Sequence, residues 1–149
     1  MKENFEGEDF PNFFKMEVVK MLVVKWRNMY IANAFSLSMV REDKAGEQNA
    51  LLEVRDLGKN ISKVKKLIEN SENVVSAVGH ESTAKLLSEL LKMEIKADRK
   101  SIKIRHGDGV IVFQLMQRLP EGKILSTEEL QNLDFKFFLV SIVDAREVG

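Results

Sequence analysis

The ten residues from Val110 to Leu119, VIVFQLMQRL, constrain the fold more than any other stretch of the chain. Their density of β-branched and long apolar side chains fits a strand, and Pro120 and Gly122 stop it. A buried strand must pair its backbone polar groups, so the remainder of the chain has to supply neighbours. Four other runs qualify: Tyr30 to Phe35, ALLEVRDL ending at Gly58, VVSAV ending at Gly79, and FKFFLVSIV near the C-terminus. SIKI (Ser101 to Ile104) is a shorter candidate, and HGDG after it is a turn pattern. Helical spacing lies between these runs. Ile61, Val64, Leu67 and Ile68 share one face behind an Asn60 cap, and Ala84, Leu86, Leu87, Leu90 and Leu91 line another helix that begins near Ser82. Ser126 or Thr127 caps TEELQNL, whose acidic residues stand near the helix start, where the dipole favours them. Strands and helices interleave without a strict parallel repeat. The expectation is an α/β (α+β) single domain: a mixed sheet of about five strands with helices packed on it.

Residues 29–149 form the expected domain, and residues 1–28 an N-terminal arm or extension. Within that arm, FFKMEVVKMLVVKWRN suits a helix or a strand equally on pattern. REDKAGEQN (Arg41 to Asn49) reads as a polar loop.

Composition narrows the chemistry. Lys+Arg and Asp+Glu are both 23 of 149 residues, so the formal net charge is zero. Proteins that hold long nucleic acid through its backbone carry a basic excess, which argues against stable duplex DNA binding. A small anionic ligand needs only a few placed donors. The absence of cysteine excludes disulfides, thiolate metal sites and cysteine nucleophiles, and two histidines are few for a zinc site. No metal or other cofactor is expected. No apolar run reaches membrane-spanning length, and MKENFEGEDF is unlike a signal peptide, so the expected location is cytoplasmic, with no membrane partner.

Three segments carry candidate chemistry. In SAVGHESTAKLLSELL a strand, a glycine turn and a helix opening with Ser82 and Thr83 offer unpaired amides and hydroxyls to an anion, with His80 at the turn. The plainer reading of the same residues is a helix cap with a surface histidine. In FQLMQRLPEGK, Gln114, Met116 and Arg118 alternate along a strand and project to one face, with Glu121 just past the turn. The competing reading is a solvated strand face with a surface ion pair. In NAFSLS, Asn33 follows a buried strand and precedes Ser36 and Ser38. It either makes a turn bond or reads a base or ribose. His106, in RHGDG, reads as a solvated loop residue.

Taken together, YIANAFSLSM, SAVGHESTAKLLSELL and VFQLMQRLPEGKILSTEEL resemble the viral ring nucleases, also called type III anti-CRISPR proteins. The similarity runs in order from Met29 to Val143. It implies a two-fold homodimer that binds cyclic tetra-adenylate, the second messenger of type III CRISPR systems. It also implies metal-independent cleavage to linear products with 2′,3′-cyclic phosphate ends; the expected cytoplasm is the host cell's if the chain is viral. Carried over by the resemblance, the catalytic set is His80, Arg118 and Glu121, and the ligand contacts are Asn33, Ser36, Ser38, Ser82, Thr83 and Gln114. Relatives often have Asn where this chain has Ser38, and some have an acidic residue where it has Pro120.

The residue types fit such a reaction. Ribose brings its own nucleophile, the 2′-hydroxyl. The protein has to align it, neutralise the phosphorane and protonate the leaving oxygen. Histidine, with an ordinary pKa of about 6.5, suits the acid role. Arginine forks onto phosphate oxygens, and a carboxylate orients an imidazole. Two other classes compete: a sponge that binds a cyclic oligoadenylate without cutting it, and a nucleic-acid-binding regulator of a mobile element.

Overall fold

The computed structural model describes residues 26–40, 50–118 and 126–143. In chain order these form β1 (Trp26–Ala32), a 3-10 turn (Leu37–Met39), β2 (Leu51–Gly58), α1 (Ile61–Glu69), β3 (Ser71–Ser76), α2 (Glu81–Leu91), β4 (Asp108–Leu115), α3 (Thr127–Gln131) and β5 (Phe135–Val143). The five strands make one mixed sheet in the order β2-β5-β4-β1-β3. β1 is parallel to both β3 and β4, while β5 runs antiparallel to β4 and to β2. The expected mixed sheet of five strands is therefore present, and β1 lies between its two parallel neighbours.

Side-chain alternation gives the sheet two unlike faces. Met29 and Ile31 of β1, Ile111 and Phe113 of β4, and Phe135, Phe137 and Leu139 of β5 meet Val64 and Ile68 of α1 and Ala84, Leu87 and Leu91 of α2. Leu130 and Leu133 extend the same cluster, so all three helices pack on this face. On the other face Ala32, Val110, Val112 and Val140 are buried mainly under Ile102 and Ile104 of the long connector, with Phe35 and Met39 alongside. That cover stops short of β2, where Val54 is 60% exposed.

The termini of α1 and α3 follow the sequence. The Asn60 side chain accepts the Lys63 N–H at 3.0 Å. Ser126, rather than Thr127, caps α3, in a box with Glu129. Several boundaries differ from expectation. β1 spans Trp26–Ala32 rather than Tyr30 to Phe35. β3 spans Ser71–Ser76 rather than VVSAV, because its pairing with β1 begins at Ser71 opposite Trp26. Val78 instead forms an isolated bridge with Ala97. Of SIKI, only Ile104 pairs, in a bridge to Val40. β4 ends at Leu115, opposite Phe135, where its partner strand begins. Met116 and Arg118 therefore lie beyond the strand, and the alternation expected to align them with Gln114 does not extend to them. The N-terminal positions before Trp26, the polar loop 41–49, Pro120 and Glu121 lie outside the described residues.

Candidate functional site

Because β1, β3 and β4 are parallel neighbours, their C-terminal ends lie along one edge of the sheet. In open α/β sheets, ligands collect in crevices outside the carboxyl ends of the strands. All three segments singled out in the sequence leave from it: Asn33 to Ser38 after β1, Gly79 to Thr83 after β3, and Gln114 to Arg118 at the end of β4.

A cavity of about 450 Å³ lies on the open sheet face below this edge. Asn33, Ala34 and Phe35 line one side, and Val112, Gln114, Phe138 and Val140 line the floor and the other side, with Val54 at the margin. Asn33 and Gln114, far apart in sequence, are thus brought to one pocket. Its lining is apolar, with two amide side chains that can donate and accept hydrogen bonds, a lining suited to a planar polar ring.

His80 occupies the N-cap position of α2 in extended conformation (φ −128°, ψ 133°), and its side chain makes no capping bond. The imidazole is exposed. Ser82 and Thr83 follow in the first turn of α2, beside the helix's unpaired amides, with Glu81 ahead of them. Asn33 ties this helix start to β1, its side-chain oxygen accepting the Gly79 N–H at 3.2 Å.

Ser36 and Ser38 stand together on the 3-10 turn. Their hydroxyls are 2.9 Å apart, and Ser36 Oγ also accepts the Ser38 N–H at 3.2 Å. Lys103, from the connector, donates to the Ser38 carbonyl. Both serines are exposed. Ser36 therefore doubles as the cap of the turn, a local role that competes with ligand contact.

Arg118 is exposed, on the segment that leaves β4. That segment is latched at its base, where Met116 N–H donates to the Asp134 carbonyl at 2.8 Å and the Gln117 side-chain oxygen accepts the Asp134 N–H at 2.9 Å. Glu121 lies outside the described residues. Among the described residues no group of three His, Asp or Glu side chains converges as a metal-ligand set.

Sequence reasoning missed Arg99. It sits in the connector, within KADRK, and reads there as one more solvated charge. In the structure its guanidinium lies against Gly79, with Nε 3.3 Å from where a Cβ would stand. A cation is thereby held beside the His80 turn. The bridge between Val78 and Ala97, two residues before it, and the Ser76 hydroxyl bond to the Lys96 carbonyl place it there, and no local pattern encodes that pairing.

Comparison with known proteins falls on the same residues. The STIV B116-like family profile matches residues 29–137. Uncharacterized protein 26 of Sulfolobus islandicus filamentous virus is 35% identical over 116 residues, covering 77% of this chain and 92% of that protein. The Bacillus subtilis protein YddF, also uncharacterized, is 33% identical over 69 residues, 46% of this chain and 64% of its own length. Among solved structures, B116 of Sulfolobus turreted icosahedral virus superposes with a TM-score of 0.65 at 26% identity, covering 76% of this chain and 98% of that one. With a family profile across most of its length and a viral relative matched almost end to end, this chain belongs to the STIV B116-like family.

Proposed function

We propose that this chain is a metal-independent phosphodiesterase that opens cyclic tetra-adenylate, and so suppresses type III CRISPR defence. The observation that carries the reading is the exposed His80 imidazole at a helix N-terminus, tied through Asn33 to a cavity that also presents Gln114. The similarity of the three motifs to viral ring nucleases supplies the substrate.

In this reading a ribose 2′-hydroxyl attacks the adjacent phosphorus in line with the 5′-oxygen. The phosphorus–O5′ bond breaks, the hydroxyl proton leaves to solvent, and His80 gives its proton to the departing 5′-oxygen. The products carry a 2′,3′-cyclic phosphate and a 5′-hydroxyl, and no water is consumed. Arg118 forks onto the phosphate oxygens as charge develops, and the amides and hydroxyls at Ser82 and Thr83 add donors at the helix start. Glu121 orients the His80 imidazole. Asn33 and Gln114 hold a base or ribose within the cavity, and Ser36 and Ser38 contact the ring from the turn.

A ring of four equivalent phosphates matches a two-fold assembly with two equivalent sites. The exposed Val54 on the open sheet face, at the margin of the pocket, supports a homodimer built there, since exposed apolar side chains of this kind are where partners pack.

The test is incubation with cyclic tetra-adenylate and chromatography of the products. His80→Ala is expected to bind the ring but to turn it over at least about 100-fold more slowly. Chelator is expected to leave the parent rate unchanged. Recovery of intact ring from the parent protein after single-turnover incubation would sink the enzyme reading in favour of a sponge.

A further inference from the structure

The turn that presents His80 is held from two sides, and one of the holds is a single side-chain bond. We propose that Asn33 is a positioning residue for His80: by accepting the Gly79 N–H it sets the backbone direction from which the imidazole projects. This proposal rests on the reading of His80 as general acid.

The geometry isolates that bond. β3 leaves β1 just before the turn. The Ala77 N–H still donates to the Ile31 carbonyl at 2.8 Å, but the next residue pairs elsewhere, the Val78 carbonyl accepting the Asp98 N–H at 2.8 Å. Past this point β1 has ended, so its backbone offers the Gly79 N–H no ladder partner. The Asn33 side-chain oxygen takes that N–H instead, at 3.2 Å. On the far side of the turn α2 is already fixed, because the His80 carbonyl accepts the Ala84 N–H at 3.0 Å. Gly79 is therefore the short joint between a fixed strand and a fixed helix, and Asn33 spans it.

The second hold is the Arg99 side chain from the connector, which lies against the turn with Nε 3.3 Å from where a Gly79 Cβ would stand. The imidazole makes no capping bond of its own, so the backbone sets the point from which it projects, and in the proposed reading Glu121 orients the ring. Proton delivery to a leaving oxygen tolerates little displacement, and a misplacement of about 1 Å costs roughly 100-fold in rate. Asn33 also lines the cavity with Gln114, so one residue sets the distance between acid and pocket.

The experiment uses the full-length chain as parent, Asn33→Ala, Asn33→Asp and His80→Ala. Amide hydrogen exchange at Gly79 is followed in ligand-free protein, and single-turnover rate and Kd are measured with cyclic tetra-adenylate. Asn33→Ala is expected to speed Gly79 exchange about 10-fold and to cut the single-turnover rate at saturating ligand about 10- to 100-fold, in addition to whatever Kd loses with the Asn33 ligand contact. Asn33→Asp keeps the acceptor, so it restores Gly79 protection and most of the rate, while its charge weakens affinity for a phosphate ring. Unchanged Gly79 protection in Asn33→Ala overturns the proposal, as does a loss confined to Kd. If His80→Ala is inactive and Asn33→Ala keeps the parent rate, the positioning role alone fails. If His80→Ala keeps the parent rate, the general-acid reading fails and takes this role with it. Should Asn33→Ala not fold, Asn33→Asp against the parent still decides, since faster Gly79 exchange in it contradicts the clamp.

Discussion

Replacing Phe113 by Leu separates what holds the fold from what serves the site. Phe113 is 1% exposed and meets two other rings, Phe135 at 5.5 Å and Phe137 at 5.3 Å between centroids. Phe135 and Phe137 close the triangle edge to face at 5.6 Å. Leucine keeps most of the buried apolar bulk but forfeits both ring contacts of Phe113. Each such pair contributes about 0.5–1.5 kcal/mol beyond its area, so the expected loss is about 1–3 kcal/mol. Against a domain stability of about 5–15 kcal/mol, that lowers the melting midpoint by roughly 2–12 °C. Urea denaturation of Phe113→Leu, Phe135→Leu and the double variant completes a cycle with an expected coupling of about 0.5–1.5 kcal/mol. Phe113 faces the helices whereas Gln114, the next residue, faces the cavity, so ligand affinity is expected to hold below the new midpoint. A coupling below about 0.3 kcal/mol would refute the ring argument. Affinity falling in step with stability would refute the separation of the two faces.

Four further outcomes are expected. Lys92, which ends α2, adopts a left-handed conformation at φ 55°, so Lys92→Gly is expected to raise stability by about 0.5–1 kcal/mol in denaturant titration. The Lys136 ammonium, then the Gly58 N–H, hold the Asp56 carboxyl below its ordinary value of 3.8. A carboxyl with a lowered folded-state pKa contributes stability above its unfolded value, and that contribution is lost as pH falls through the folded one. Asp56→Asn is thus expected to flatten the loss of stability below about pH 4, seen by urea titration at successive pH values. Val54→Glu places a charge on the open face and is expected to shift sedimentation toward monomer. A parent protein already monomeric at working concentration would count against the dimer. Arg118→Ala is expected to slow single turnover by about 100-fold or more through lost phosphate contact, and an unaltered rate would remove Arg118 from the site.

Where one physical cause sets a boundary, the sequence shows it. Asn60 and Ser126 each satisfy orphan amides of the helix that follows, and FKFFLVSIV fits a central strand. Where pairing decides, it does not. Ser71, Glu72 and Asn73 have weak strand propensity, yet they belong to β3 because β1 is there to bond them and the edge lets polar side chains face water. The apolar run from Val110 suggests a strand to Leu119, but a strand needs a partner and β5 begins only at Phe135. The candidate site divides in the same way. The three segments at one sheet edge follow from motif order and parallel topology, whereas Arg99 against Gly79 and Asn33 against Gly79 are contacts between distant segments that no local pattern encodes.

At the opposite end of the sheet, Asp108 is 2% exposed, and its carboxylate accepts from Arg27 Nε at 3.2 Å, Asn28 Nδ2 at 3.1 Å and the Arg105 N–H at 3.2 Å. This knot works as an index mark between β1 and β4. Were β4 to slide by a single residue, every side chain on it would change sides, carrying Phe113 into the pocket and Gln114 into the grease beneath the helices. The register that serves the chemistry at one rim is thus marked by a buried carboxylate at the other.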